Sequence, residues 1–367
     1  MDNPFRFSGI VEAPAFCDRK TEQKEINQYI NSSQNIVLYS HRRYGKSSLI
    51  LKIFKGLKNI TPVYIDLYGT TGREDFIAAF LKGVSAMESQ LSRLMKMIQE
   101  KIRSVGINFS LDPVTGMPTA TPVFSRAAGE RTIDELFAFI EALSRKKKMV
   151  VAFDEFQEIA AYGGEAVEKH LRTSIQRHER ISYIFAGSQR HLMMEMFNDR
   201  KRAFYLLATP YPLHEIKTAE YVKWIQGLYR KDERRIENRY IEDVVARCEN
   251  HPMYVQQFFF DLWNEKALSF ESLDRAERLI LEKRISQFAY LWDTLTLNQK
   301  RALKLIAGTA GKNIFAAENL DRFGFRTASQ VTAALASIEK MGLLDKNEVW
   351  KIHDPFFKRW LLLGQNI

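Results

Sequence analysis

The most chemically pointed stretch of this sequence is Ser40-His41-Arg42-Arg43-Tyr44-Gly45-Lys46-Ser47, followed by Ser48. It has the spacing of a phosphate-binding loop, with Ser40 where the first glycine usually stands. A polyphosphate needs a run of backbone N–H donors and a helix N-terminus aimed at it. Arg42, Arg43, Tyr44 and Gly45 can supply the run, and Ser48 extends it into the first helical turn. Lys46 would reach the β- and γ-phosphates, and the Ser47 hydroxyl would face Mg²⁺. Asp154-Glu155 forms a second constellation, two carboxylates closing the apolar run Met149 to Phe153. Buried carboxylates need compensation, so Asp154 is expected in the shell of Mg²⁺ and Glu155 is expected to orient and polarise an attacking water. In isolation the pair could also be acidic residues favoured at a helix N-terminus, a reading that the phosphate loop disfavours. Ser188-Gln189-Arg190 ends another apolar run, and Ser188 or Gln189 could sense the γ-phosphate or the water. A guanidinium would stabilise the transition state further, with Arg202 the first candidate and Arg177 the second.

Elements must place these groups together. Ile36 to Tyr39 reads as a strand, and Leu49, Ile50, Ile53, Phe54 and Leu57 follow the loop at helical spacing. Pro62 to Leu67, Met149 to Phe153 and Ile181 to Gly187 are further strands. Helices are expected at Arg73 to Gln99, Thr132 to Arg145 and Gly164 to His178. This alternation predicts an α/β domain with a parallel sheet, whose ligands gather at the C-terminal ends of the strands. Ile107 to Phe124 breaks the rhythm around Asp112, Pro113, Thr115 and Gly116 and reads as an inserted β-hairpin.

Beyond Leu213 strand signals cease. Helices at Ala219 to Leu228, Asn238 to Cys248 and Pro252 to Ala267 predict a helical lid. Helices at Asn298 to Ala307, Ala316 to Arg322 and Ala328 to Met341, then two short strands in Leu343 to His353, predict a winged helix. The expected domains are a core over 1–215 with the hairpin at about 106–125, a lid over 216–285 and a winged helix over 286–367.

Composition bounds the reading. Apolar residues make up 46% and charged residues 27%, enough for packed cores and too mixed for a disordered chain. No apolar run reaches membrane-spanning length, and no secretory signal opens the chain. Cys17 and Cys248 stand alone, as expected of buried thiols in a reducing compartment, so the cytoplasm is the expected location. A net charge of +10 favours anionic partners, but the basic residues are scattered.

The segments NPFRFSGIVEAPAFCDRKTE, VLYSHRRYGKSSLI, VVAFDEFQEI, YIFAGSQRHLM and ENHPMYVQQF together resemble the archaeal-type ATPase family, on the AAA+ and STAND side of the P-loop NTPases. The resemblance implies ATP as the nucleotide, a helical lid and a winged helix. It also implies that Phe16, Asp18 and Arg19 lie beside the adenine and that the His251-Pro252 turn of the lid approaches the nucleotide. Some members carry a nuclease-like domain after the winged helix; with the sequence ending at Ile367, none is expected. The functional expectation is a Mg²⁺-dependent ATPase acting as a nucleotide-driven switch, with a protein partner or self-association as its output. The alternative is an ATP-modulated DNA-binding regulator. The helix over Thr327 to Met341 carries one Lys and one Glu, so it brings no net charge to DNA phosphates and favours the first reading.

Overall fold

The computed structural model describes residues 2–87, 100–103, 106–111, 118–123, 130–163, 165–265, 267–346 and 349–364. The chain divides into two compact units, Arg19–His214 and Met1–Asp18 with Glu215–Ile367.

In the first unit, helix α1 (Lys20–Asn31) precedes strand β1 (Ile36–Tyr39), α2 (Lys46–Gly56), β2 (Thr61–Asp66) and α3 (Arg73–Ser85). An antiparallel pair follows, β3 (Gly106–Leu111) with β4 (Pro118–Val123), where the hairpin was expected. Its turn, and residues 88–99 of the long helical stretch, lie outside the described residues. Then come α4 (Glu130–Ser144), β5 (Met149–Asp154), a 3-10 helix at Phe156–Ala161, α5 (Glu165–Gln176), β6 (Ile181–Gly187), α6 (Arg190–Asn198) and β7 (Thr209–Pro212).

The sheet has five parallel strands in the order β2-β5-β6-β1-β7. Thus β6 lies between the strand that feeds the phosphate loop and the strand that ends in Asp154. Largely apolar β5 and β6 are buried along their whole length, as strands covered on both faces must be. Their register sets Val151 against Tyr183 and Phe153 against Phe185. The rings of Phe153, Tyr183 and Phe185 consequently stack on one face, with interplanar angles of 2° to 9°.

Strand β7 has no counterpart in the sequence reading, because Thr209-Pro210-Tyr211-Pro212 looks like a turn. It forms since Thr209 N and Leu213 N donate to Asn35 O and Tyr39 O, both at 2.9 Å. Pro210 and Pro212 alternate with those donors, so their nitrogens face the open edge, where no donor is needed.

The second unit holds α7 (Thr218–Lys231), α8 (Asn238–Arg247), α9 (Pro252–Leu262), α10 (Phe270–Asp293), α11 (Leu297–Thr309), α12 (Ala317–Arg322), α13 (Ala328–Lys340), β8 (Leu344–Lys346), β9 (Trp350–Ile352) and α14 (Pro355–Leu363). The antiparallel β8 and β9 after α13 form the wing. Gly311 lets α11 meet that wing: φ is +75°, and a Cβ would stand 2.0 Å from Trp350 O.

Two features cross the expected domain limits without moving them. The boundary at 285/286 falls inside the continuous helix α10, and lid and winged helix share one hydrophobic core. Residues assigned to the start of the core pack in this second unit, where Phe5 lies against Trp224, Phe259 and Trp263. Both cysteines are buried and free. Among the described residues no helix is long and apolar enough to cross a membrane.

Candidate functional site

All five strands run the same way, so the residues that follow β1, β5 and β6 meet at one edge of the sheet. After β1 the chain turns through Arg43 at φ 65° and Gly45 at φ 84°. A Cβ on Gly45 would meet nothing within 4 Å, so the demand for glycine is conformational. Gly45 caps α2, whose first turn leaves its N–H groups for an anion. Lys46 is 5% exposed, and its Nζ donates to Ser40 O at 3.4 Å, Ser40 Oγ at 3.3 Å and His41 O at 3.2 Å. The ammonium is thus folded into the loop that phosphates would fill. Burial holds Lys46 below the usual lysine range, against the opposing charges of Glu155 and Asp154.

Asp154, 3% exposed, closes β5. Its Oδ2 accepts from Ser47 Oγ and from Tyr64 OH, each at 2.5 Å. Burial and the Asp154 charge push the Tyr64 phenol up, so it remains a donor. Glu155 has a left-handed backbone, φ 50°, a conformation that costs energy for a residue with a Cβ and that gathers at functional sites. Its Oε2 accepts from Ser188 Oγ at 2.7 Å and from Gln157 Nε2 at 2.5 Å. Phosphate loop, metal-type pair and water-type carboxylate therefore occupy neighbouring strand ends.

Residues 16–210 match the family described as "ATPase domain predominantly from Archaea", a span that contains every strand-end group above. The chain belongs to this family. Residues 286–363 of this archaeal-type ATPase match a model described as "probable winged helix domain". Among solved structures, the Walker-type ATPase PABY2304 of Pyrococcus abyssi is similar at 18% identity and a TM-score of 0.71, covering 98% of this chain and 99% of that one. The Aeropyrum pernix ORC2 protein, in its ADPNP-ADP complexes, is similar at 14% identity and a TM-score of 0.55, covering 98% of each chain. At such identities the likeness is one of fold. A search of curated proteins gave no match.

The family fold distributes the remaining expected site residues unevenly. Arg42 and Arg43 are exposed on the phosphate loop, Tyr44 is buried edge-on against His41 at 5.5 Å, and Ser48 is buried in α2. Of the pair offered after β6, Ser188 reaches Glu155, whereas Gln189 is exposed at the N-cap position of α6. Arg19 is 3% exposed and spends its guanidinium on Glu22, His214 O and Tyr44 O, at 2.7, 2.6 and 3.4 Å. It braces the back of the phosphate loop. Phe16, Asp18 and Pro252 lie in the second unit, Pro252 as the first residue of α9.

Neither arginine proposed as a finger is poised as one within its own chain. Arg202 forks onto the buried Glu168 through Nε and Nη2 and reaches Glu195 Oε1 with Nη1 at 2.7 Å. Arg177 lies between α5 and β6, at the N-terminal end of a parallel strand and so at the opposite edge of the sheet. Tyr64 and Gln157 went unread in the sequence. Tyr64 is one of the alternating residues of an ordinary strand, and Gln157 sits among the apolar residues of a short 3-10 helix; only the pairing of β2 with β5 and the left-handed Glu155 aim them at the carboxylates.

Proposed function

We propose that this chain binds ATP through Ser40 to Ser48 and hydrolyses it with Mg²⁺. The observation that supports this best is the buried Lys46 ammonium beside the Asp154 and Glu155 carboxylates, at the C-terminal ends of β1 and β5, the two strands that flank β6. Ser47 Oγ and Asp154 Oδ2 offer hard oxygen donors 2.5 Å apart, a set that suits Mg²⁺. Ser47 and Asp154 would hold the ion, which when bound neutralises charge on the β- and γ-phosphates.

This chain's own residues carry the rest. Lys46 would leave the Ser40 and His41 carbonyls for the phosphate oxygens, a stronger charge-assisted contact. Water attacks the γ-phosphorus and passes its proton to Glu155, while the bond to the β-bridging oxygen breaks and its electron pair leaves with ADP. Glu155→Gln keeps the shape and loses the proton acceptor, so ATP affinity should stay within about twofold while turnover falls roughly 10²- to 10⁴-fold. Wild-type turnover in that variant would move the base elsewhere.

Nucleotide state is read out, on this proposal, through the second unit. There Glu249, two residues before the His251-Pro252 turn, pairs with Lys358 at 2.7 Å and Lys351 at 3.3 Å, which ties the lid turn to the winged helix. The exposed face of α13 presents Ser329, Gln330, Thr332, Ala333 and Ser337, with Lys340 its one exposed cation at the C-terminal end, a mostly uncharged surface that suits a protein partner better than DNA phosphates.

A further inference from the structure

Gln157 is 3% exposed, in the first turn of the 3-10 helix that follows Glu155. Its Nε2 donates to Glu155 Oε2 at 2.5 Å, and Ser188 Oγ donates to that same oxygen at 2.7 Å. Two donors from different elements on one oxygen fix the plane of the carboxylate and leave Oε1 to other partners. The Gln157 carbonyl oxygen is itself buried without a hydrogen-bond partner among the described residues. A leucine or methionine would fill the slot without stranding an acceptor, so packing alone does not account for an amide here.

The neighbouring strand makes room for that amide. Gly187 ends β6 with no positive φ, yet a Cβ there would stand 2.6 Å from Gln157 Oε1 and 2.4 Å from Met193 Sδ. Glycine is required for space, and the space is shared by Gln157 and Met193. A brake on Glu155 would occupy both carboxylate oxygens. Holding one oxygen and sparing the other is what a base needs to present a single, aimed lone pair.

Resting on the reading of Glu155 as the water-activating base, we propose that Gln157 is a positioning residue of hydrolysis. With Ser188, it orients Glu155 so that Oε1 faces the attacking water, in a slot opened by Gly187. Gln157 acts through Glu155 and touches no phosphate.

The test compares Gln157→Leu and Gln157→Met, alone and combined with Glu155→Gln, in the full chain. Mg-ATP turnover is read beside calorimetric ADP affinity, with Gln157→Met securing the result should the leucine variant not fold. Turnover should fall about 10- to 100-fold with ADP affinity and KM within about twofold, since misaiming a reacting group costs that much. On the Glu155→Gln background the same substitutions should change residual turnover by less than about twofold, because the group they aim is already gone. Turnover within about threefold of wild type, a rise in turnover, or a further loss on the Glu155→Gln background would each overturn the proposal. Loss in Glu155→Gln together with normal turnover in both Gln157 variants would remove Gln157 alone. Normal turnover in Glu155→Gln would remove the base assignment beneath it.

Discussion

The two edges of the parallel sheet treat polar groups in opposite ways. At the N-terminal edge, buried or half-buried polar groups close on one another. Asn35 accepts from Tyr183 N at 2.9 Å and donates to Leu207 O at 3.2 Å, and Ser182 Oγ donates to Gln34 O at 2.6 Å. His178 Nδ1 and Tyr183 OH share a bond of 2.6 Å, and burial keeps both uncharged by lowering the imidazole and raising the phenol. At the C-terminal edge, a lysine is buried against carbonyls, a glutamate has a left-handed backbone, and a glutamine oxygen is stranded. Structure satisfies its polar groups internally; a site keeps capacity for what it will bind.

The Arg202 network is of the closed kind, which gives the largest effect expected on stability. Arg202→Ala leaves Glu168, whose side chain is 2% exposed, as an uncompensated charge and should destabilise by about 3 kcal/mol, a marked drop in the urea midpoint. Turnover per folded molecule should remain within about threefold of wild type. A rate loss above about tenfold at unchanged stability would make Arg202 a finger after all.

Asn35→Ala sharpens the contrast from the opposite edge. It strands Tyr183 N and should cost about 1–3 kcal/mol with unchanged ATP affinity and turnover. Turnover falling more steeply than stability would mean that the two edges are coupled.

The smallest effect concerns protons. Burial lowers Lys46 in the folded chain, so its charge is lost at lower pH than an ordinary lysine's, and phosphate bound beside it would restore that charge. ATP binding at about pH 9 should therefore take up protons, and affinity should weaken early on the alkaline side. Calorimetry in two buffers of different ionisation enthalpy reads the sign, and proton release would contradict it.

Most of the candidate site was legible because its residues are consecutive. Ser40 to Ser48 and Asp154-Glu155 each carry their chemistry in one short run, and apolar runs before them fix their elements. What depends on pairing was not legible. Tyr64 meets Asp154 only because β2 lies beside β5, Gln157 meets Glu155 only through a left-handed turn, and β7 hides behind two prolines that an edge strand tolerates. The finger assignment followed a basic run at Arg200 to Arg202, whereas the fold gives Arg202 to a glutamate thirty-four residues earlier in the chain. Charge along a sequence does not reveal which charges find partners.

The central claim is that the C-terminal edge is a nucleotide site whose affinity depends on the buried ammonium of Lys46. Calorimetric titration of Mg-ATP into wild type and Lys46→Ala, both shown folded by circular dichroism, tests it most directly. Saturable binding by wild type and none by the variant is the predicted result; undiminished ATP affinity in the folded variant would contradict it.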